Sequence, residues 1–170
     1  MLINSKIVVV RNNPDLDTDF FLSFIWGGNS SIVKLSNSQK INISSEPWIS
    51  DNSDIFGFDI NNYLCNLELY VPTSNKKIFL NERKKCIGTL AVKENTDAGL
   101  ILPPNKLRYF DPISRSLVCT KYGLSQEMAI DLVEIKSDFF LLFNEDSYSG
   151  FMLKNPLSYL TSHENGKTRL

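Results

Sequence analysis

Five large apolar residues in succession, Phe139-Phe-Leu-Leu-Phe143, constrain this chain more than any other feature. Side chains on a strand point alternately to its two faces, so a run without polar interruption belongs in the middle of a sheet rather than at its edge. It is far too short to cross a membrane, which takes roughly 20 apolar residues. The run sits in the most apolar part of the chain. Asp131–Lys136 precedes it across a two-residue link, Ser137-Asp138, and Gly150–Leu153 follows across Asn144–Ser149. That order predicts a strand, a tight turn and a hairpin, with Phe139–Phe143 as a central strand.

The rest of the chain carries the same signals at shorter range. Lys6–Arg11 is β-branched and reads as a buried strand. In Thr18–Trp26 the residues Phe20, Leu22, Phe24 and Trp26 form one apolar face, and Gly27-Gly28-Asn29-Ser30 predicts a hairpin turn into Ser31–Leu35. Gln39–Ile43 follows as a short strand. Ser44–Asn62, rich in Ser, Asn and Asp, predicts a long ordered loop with a short strand near Ile55–Ile60. Tyr63–Val71 alternates and predicts a strand. Further short strands are expected at Ile78–Leu80, Cys86–Lys93, Leu100–Leu102, Leu107–Phe110 and Ser116–Thr120. Leu124, Met128, Leu132 and Ile135 recur at helical spacing behind the capping residue Ser125, which predicts one short helix near residues 125–135, although Asp131–Ile135 also suits a strand. Many short strands with turn signals between them predict a mainly β fold, with α+β as the alternative. The architecture expected is a single-domain antiparallel β-sandwich or half-open barrel over residues 1–160, followed by a polar, frayed tail over 161–170. At 170 residues such a chain buries roughly 70% of its unfolded surface, so no staple is required.

Composition narrows function mainly by exclusion. The net charge is −1, which gives no general attraction to nucleic acid or membranes. Cys65, Cys86 and Cys119 are odd in number, widely spaced and set in apolar runs; free thiols in a reducing, cytoplasmic compartment are expected. The single histidine, His163, lies in the polar tail, which is poor material for Ser/His/Asp or Cys/His catalysis and for a zinc site. Asp15, Asp17 and Asp19 have the opening spacing of a calcium loop but lack its later Gly and Glu. No cofactor is expected.

Val133-Glu134-Ile135-Lys136, an apolar strand ending in Glu-x-Lys with Asp111 upstream, resembles the core of the PD-(D/E)xK nucleases. The resemblance covers about 26 residues. It implies an acidic pair, Asp111 and Glu134, holding Mg²⁺, with Lys136 activating the attacking water. The pattern itself is common in a chain with this charge content, as Glu82-Arg-Lys84 shows.

Charge is distributed unevenly. Residues 41–75 carry five acids (Glu46, Asp51, Asp54, Asp59, Glu68) and no Lys or Arg, whereas 76–85 carries Lys76, Lys77, Arg83, Lys84 and Lys85 against Glu82. One outcome is solvated faces that pair with each other; the other is a surface for a charged partner. Acids beside aromatics suit a basic protein surface, and Glu46, Trp48, Asp51, Asp54, Phe56 and Asp59 are the candidate partner-binding residues. The function expected is therefore a non-catalytic protein-binding module. Its most concrete form is a bacterial immunity protein that blocks the active site of a basic toxin. The nuclease is one alternative, and a ligand- or carbohydrate-binding β-sandwich is another.

Overall fold

The fold was derived from a computed structural model, which describes residues 7–11, 20–26, 31–37, 48–50, 54–59, 63–78, 80–92, 106–121, 129–145, 147–164 and 167–169. The described residues form fourteen strands: β1 (Ile7–Arg11), β2 (Phe20–Ile25), β3 (Ser31–Asn37), β4 (Trp48–Ser50), β5 (Asp54–Phe58), β6 (Leu64–Val71), β7 (Asn81–Val92), β8 (Lys106–Asp111), β9 (Ser116–Lys121), β10 (Ala129–Lys136), β11 (Phe139–Asn144), β12 (Ser147–Lys154), β13 (Leu160–Glu164) and β14 (Lys167–Arg169). They form two seven-stranded sheets. One has the order β1-β7-β10-β11-β12-β9-β8, and the other β14-β13-β2-β3-β6-β5-β4. The sheets pack face to face as a mostly β sandwich without barrel closure.

The central-strand expectation holds. β11 is the fourth of seven strands, paired antiparallel with β10 and β12. The reason all five apolar residues fit is that the centre of this sheet is buried on both faces. Phe139, Leu141 and Phe143 join Val133, Ile135, Phe151 and Leu153 in the core between the sheets. Phe140 and Leu142 point the other way, onto a second cluster with Ile130, Leu132, Val118 and Met152, against which Ile78 and Leu80 pack. Ser137-Asp138 makes the tight turn, with Asp138 in the left-handed region at φ 70°, a conformation Asp tolerates better than most residues. The second sheet buries one face only. Phe20, Leu22, Phe24, Val33, Leu35, Leu67 and Leu69 face inward, while Lys34 and Glu68, directly opposite in register, pair at 2.7 Å on the outer face.

Several expectations are corrected. Residues 129–136 are strand, not helix; β10 lies parallel to β7, and burial on both sides of this strand favours the extended form over the helical spacing. The remainder of the expected helix, residues 125–128, lies outside the described residues. Among the described residues the only helical segment is the 3-10 turn Pro156–Tyr159. The sandwich is mixed rather than purely antiparallel, because β13 also runs parallel to β2 through Leu160↔Phe24 and Thr161↔Ile25. The tail expected to fray thus supplies β13 and β14 of the second sheet. Ile78 and Leu80 pack onto the outer cluster as irregular chain instead of forming a strand, whereas β7 starts earlier than expected, at Asn81. The expected strands at 39–43 and 100–102 lie outside the described residues.

A bulge in β12 ties the two sheets together. Leu142 pairs with Gly150 and Phe143 with Tyr148, leaving Ser149 as the extra residue. The extra residue shifts the alternation, so Tyr148 faces inward as Phe151 and Leu153 do. Gly150 has φ 145°, and a Cβ there would lie 2.0 Å from the Cys119 carbonyl oxygen; only glycine lets β12 approach β9 this closely.

Candidate functional site

Two of the residues proposed from sequence, Asp54 and Phe56, lie in the core. Asp54 is fully buried. Its carboxylate accepts the Tyr70 N–H at 3.1 Å and the Tyr148 hydroxyl at 3.1 Å. It therefore bridges the sheets, β5 and β6 on one side and β12 on the other. Phe56 is also fully buried, edge-on to the Tyr148 ring at a centroid distance of 5.1 Å. Both belong to the core and not to a partner-facing loop, because the short strand expected near Ile55–Ile60 starts at Asp54, as β5, and turns these alternate side chains inward. Asp59 is half-buried and is tied to Tyr63, accepting the Tyr63 N–H at 2.9 Å while its own N–H donates to the Tyr63 carbonyl. Trp48 opens β4, paired opposite Gly57. Glu46, Asp51 and the Asp15-Asp17-Asp19 spacing lie outside the described residues.

The nuclease constellation is also dispersed. Glu134 on β10 and Asp111 on β8 are separated by β11, β12 and β9, about 19 Å of sheet. Glu134 pairs with Lys85 at 2.8 Å on the outer face. Asp111 closes the β8–β9 turn, accepting the Ile113 N–H at 3.0 Å and the Ser114 hydroxyl at 2.6 Å. The Ser114 bond, then the Ile113 bond, holds its carboxyl below the usual carboxylate range. Among the described residues no group of three His, Cys, Asp or Glu side chains is placed to hold a metal ion. The basic stretch is partly paired: Arg83 grips Asp131 through two bonds of 2.8 and 2.7 Å, beside the irregularity where β7 and β10 shift register. The ammonium groups of Lys85 and Lys154 lie 4.8 and 5.1 Å from the Phe140 ring centroid, so their stems cover part of the outer cluster.

The structure shows a different candidate, a half-open apolar groove of about 460 Å³ lined by residues of both sheets. The second sheet contributes Phe24, Trp26 and Leu160, and the first contributes Arg108, Phe110 and Leu117. Pro156 and Leu157 of the 3-10 turn and Asn75 close it. The turn is fixed at its start. Asn155 takes a left-handed conformation at φ 47°, Pro156 occupies the first turn, and the Asn155 N–H donates to the Arg115 carbonyl at 2.8 Å, tying it to the β8–β9 turn. At its far end the Tyr159 hydroxyl donates to Asp138 at 3.1 Å. Burial, followed by that hydrogen bond, raises the Tyr159 pKa. Main-chain bonds of Ser74 and Lys76 to Arg108 hold Asn75 against the β8 edge.

Large apolar side chains ring the groove in the open. Trp26 is 54% exposed, Leu157 76%, Phe110 46% and Leu160 44%, and Ile113 at the tip of the β8–β9 turn is 94% exposed. Trp26 continues the alternation of Phe20, Leu22 and Phe24 but stands one residue beyond β2, where the sheet no longer covers it. The Arg108 guanidinium crosses from the first sheet to lie 5.6 Å from the Trp26 ring centroid. Among the described residues no carboxylate pairs with Arg108. The periodicity of β2 was the one sequence signal for this site; Arg108, Phe110 and Leu157 meet Trp26 only through tertiary contacts. No family model matches the chain, and a search of curated proteins finds no significant relative.

Proposed function

We propose that this chain is a non-catalytic protein-binding module whose contact surface is the groove between the sheets. The observation that carries the reading is the cluster of exposed Trp26, Phe110, Leu157 and Leu160 around one concavity. Exposed large apolar groups gathered in one place mark interaction sites, and aromatic anchors account for much of binding affinity. A bacterial toxin-neutralising role in the cytoplasm stays the most concrete form of this proposal, with the groove in place of the acidic loop. The burial of Asp54 and Phe56 removes their part of the support for the loop. Co-expression with the product of the adjacent reading frame, followed by calorimetry of the purified pair, tests it. Leu157→Asp, at an exposed turn position, is expected to weaken the complex at least about tenfold, equivalent to about 1.4 kcal/mol, without changing Tm. A complex indifferent to Leu157→Asp would remove the groove from the interface.

A second reading, a ligand-binding β-sandwich, is favoured by one observation. A groove of about 460 Å³ with an apolar lining and one guanidinium falls within the roughly 300–1,000 Å³ typical of small-molecule sites.

A further inference from the structure

We propose that the segment entering the groove is acidic and apolar: a partner-protein segment that buries one large apolar side chain against Trp26 and Phe110 and presents a neighbouring carboxylate to Arg108. This rests on the groove being the contact surface. It reverses the charge expected of the partner from the sequence, where the acidic 41–75 stretch pointed to a basic surface.

The charge follows from how Arg108 is held. Its guanidinium carbon lies over the Trp26 ring, 5.6 Å from the centroid. A guanidinium carries its N–H groups in its own plane, along the edge, where a carboxylate accepts two parallel bonds. Elsewhere the same fold satisfies such a fork internally: Arg83 meets Asp131 in that two-bonded geometry. Arg108 has no described carboxylate beside it, and the described groove lining has no other charged side chain. A basic partner would face repulsion from Arg108 in an apolar setting, where charges are weakly screened. An uncharged apolar partner would leave its N–H groups unmatched. An acidic-apolar segment satisfies both halves of the groove. A protein segment is favoured over a free small molecule because the exposed apolar side chains around the groove, Trp26, Phe110, Leu157 and Leu160, are spread over both sheets and the 3-10 turn.

The test is selection of a random displayed heptapeptide library on the immobilised full chain, in parallel with Arg108→Glu, Leu157→Asp and wild type. Wild type is expected to enrich peptides with an aromatic or aliphatic residue next to Asp or Glu. Measured on the synthetic peptides, Arg108→Ala is expected to weaken binding at least about tenfold, the range for a charge-assisted pair. Arg108→Glu is expected to shift the enrichment to Lys or Arg at that position. Enrichment of apolar peptides with no acidic residue, or of basic ones, on wild type would overturn the charge assignment while leaving the groove as a binding surface. Peptides that bind Leu157→Asp as well as wild type, or no enrichment at all, would overturn the groove reading itself. Octanoate binding at the groove with higher affinity than every selected peptide would overturn the choice of a protein segment. Thermal melts of each variant confirm that the fold is intact before selection.

Discussion

Asp54 shows how far one residue's role depends on its surroundings. In the chain it stands among Ser, Asn and Asp, the composition of a solvated loop. In the fold it is fully buried and accepts bonds from Tyr70 on its own sheet and Tyr148 on the other. A buried carboxylate is tolerated only when it is hydrogen-bonded. Asp54→Lys would therefore cause loss of folding, and is not a neutral probe of a surface. A milder test is Tyr148→Phe, which keeps the ring contacts with Phe56 and Phe143 and removes the hydroxyl. A hydrogen bond contributes about 0.5–1.5 kcal/mol net, and leaving its buried acceptor unmatched adds to the loss, so Tyr148→Phe is expected to lower unfolding free energy by about 1–3 kcal/mol in urea titrations. A change below about 0.5 kcal/mol would mean that the bond does not hold the sheets together.

At the scale of elements, the β10–β11–β12 meander dominates. Its strand order follows from the sequence because turn chemistry and apolar runs alternate there, although β12 begins at Ser147, inside the expected turn Asn144–Ser149. The bulge at Ser149 does not, since Tyr-Ser-Gly-Phe gives no sign that Tyr148 and Phe151 share a face. Phe140 is 2% exposed on the central strand. Phe140→Asp would bury an unpaired charge and, with the loss of the ring, cost more than the roughly 3–5 kcal/mol of a Phe→Ala change. It is expected to abolish soluble expression. Glu134→Gln removes only the ion pair with Lys85, whose side chain is 51% exposed, and is expected to change stability by less than about 1 kcal/mol. Soluble Phe140→Asp protein, or a large effect of Glu134→Gln, would reverse this ranking.

For the whole molecule, the sheets alternate along the chain: β1 lies in one, β2–β6 in the other, β7–β12 in the first again, and β13–β14 return to the second. The last return is parallel to β2, and it covers an edge that would otherwise be unpaired beside the exposed Phe21. Removing residues 160–170 is expected to lower Tm by roughly 4–8 °C, from about 2 kcal/mol at this chain length, and to produce concentration-dependent self-association in light scattering. A truncated chain that stays monomeric with an unchanged Tm would show that β2 does not need this cover.

The sequence by itself determined the mainly β class, the hairpin frame around Phe139–Phe143 and the inward face of β2, because alternation and turn residues act over a few neighbours. It left residues 131–135 between helix and strand, because helical and extended spacings overlapped there, and burial on both sides of β10 decided for the strand. Only the tertiary structure decided the partnerships: Asp54 with Tyr148 across 94 residues of chain, Arg108 with Trp26 across the two sheets, and Asp111 apart from Glu134. These depend on strand order and on one bulged residue, which are set by how the two sheets pack and not by any local pattern.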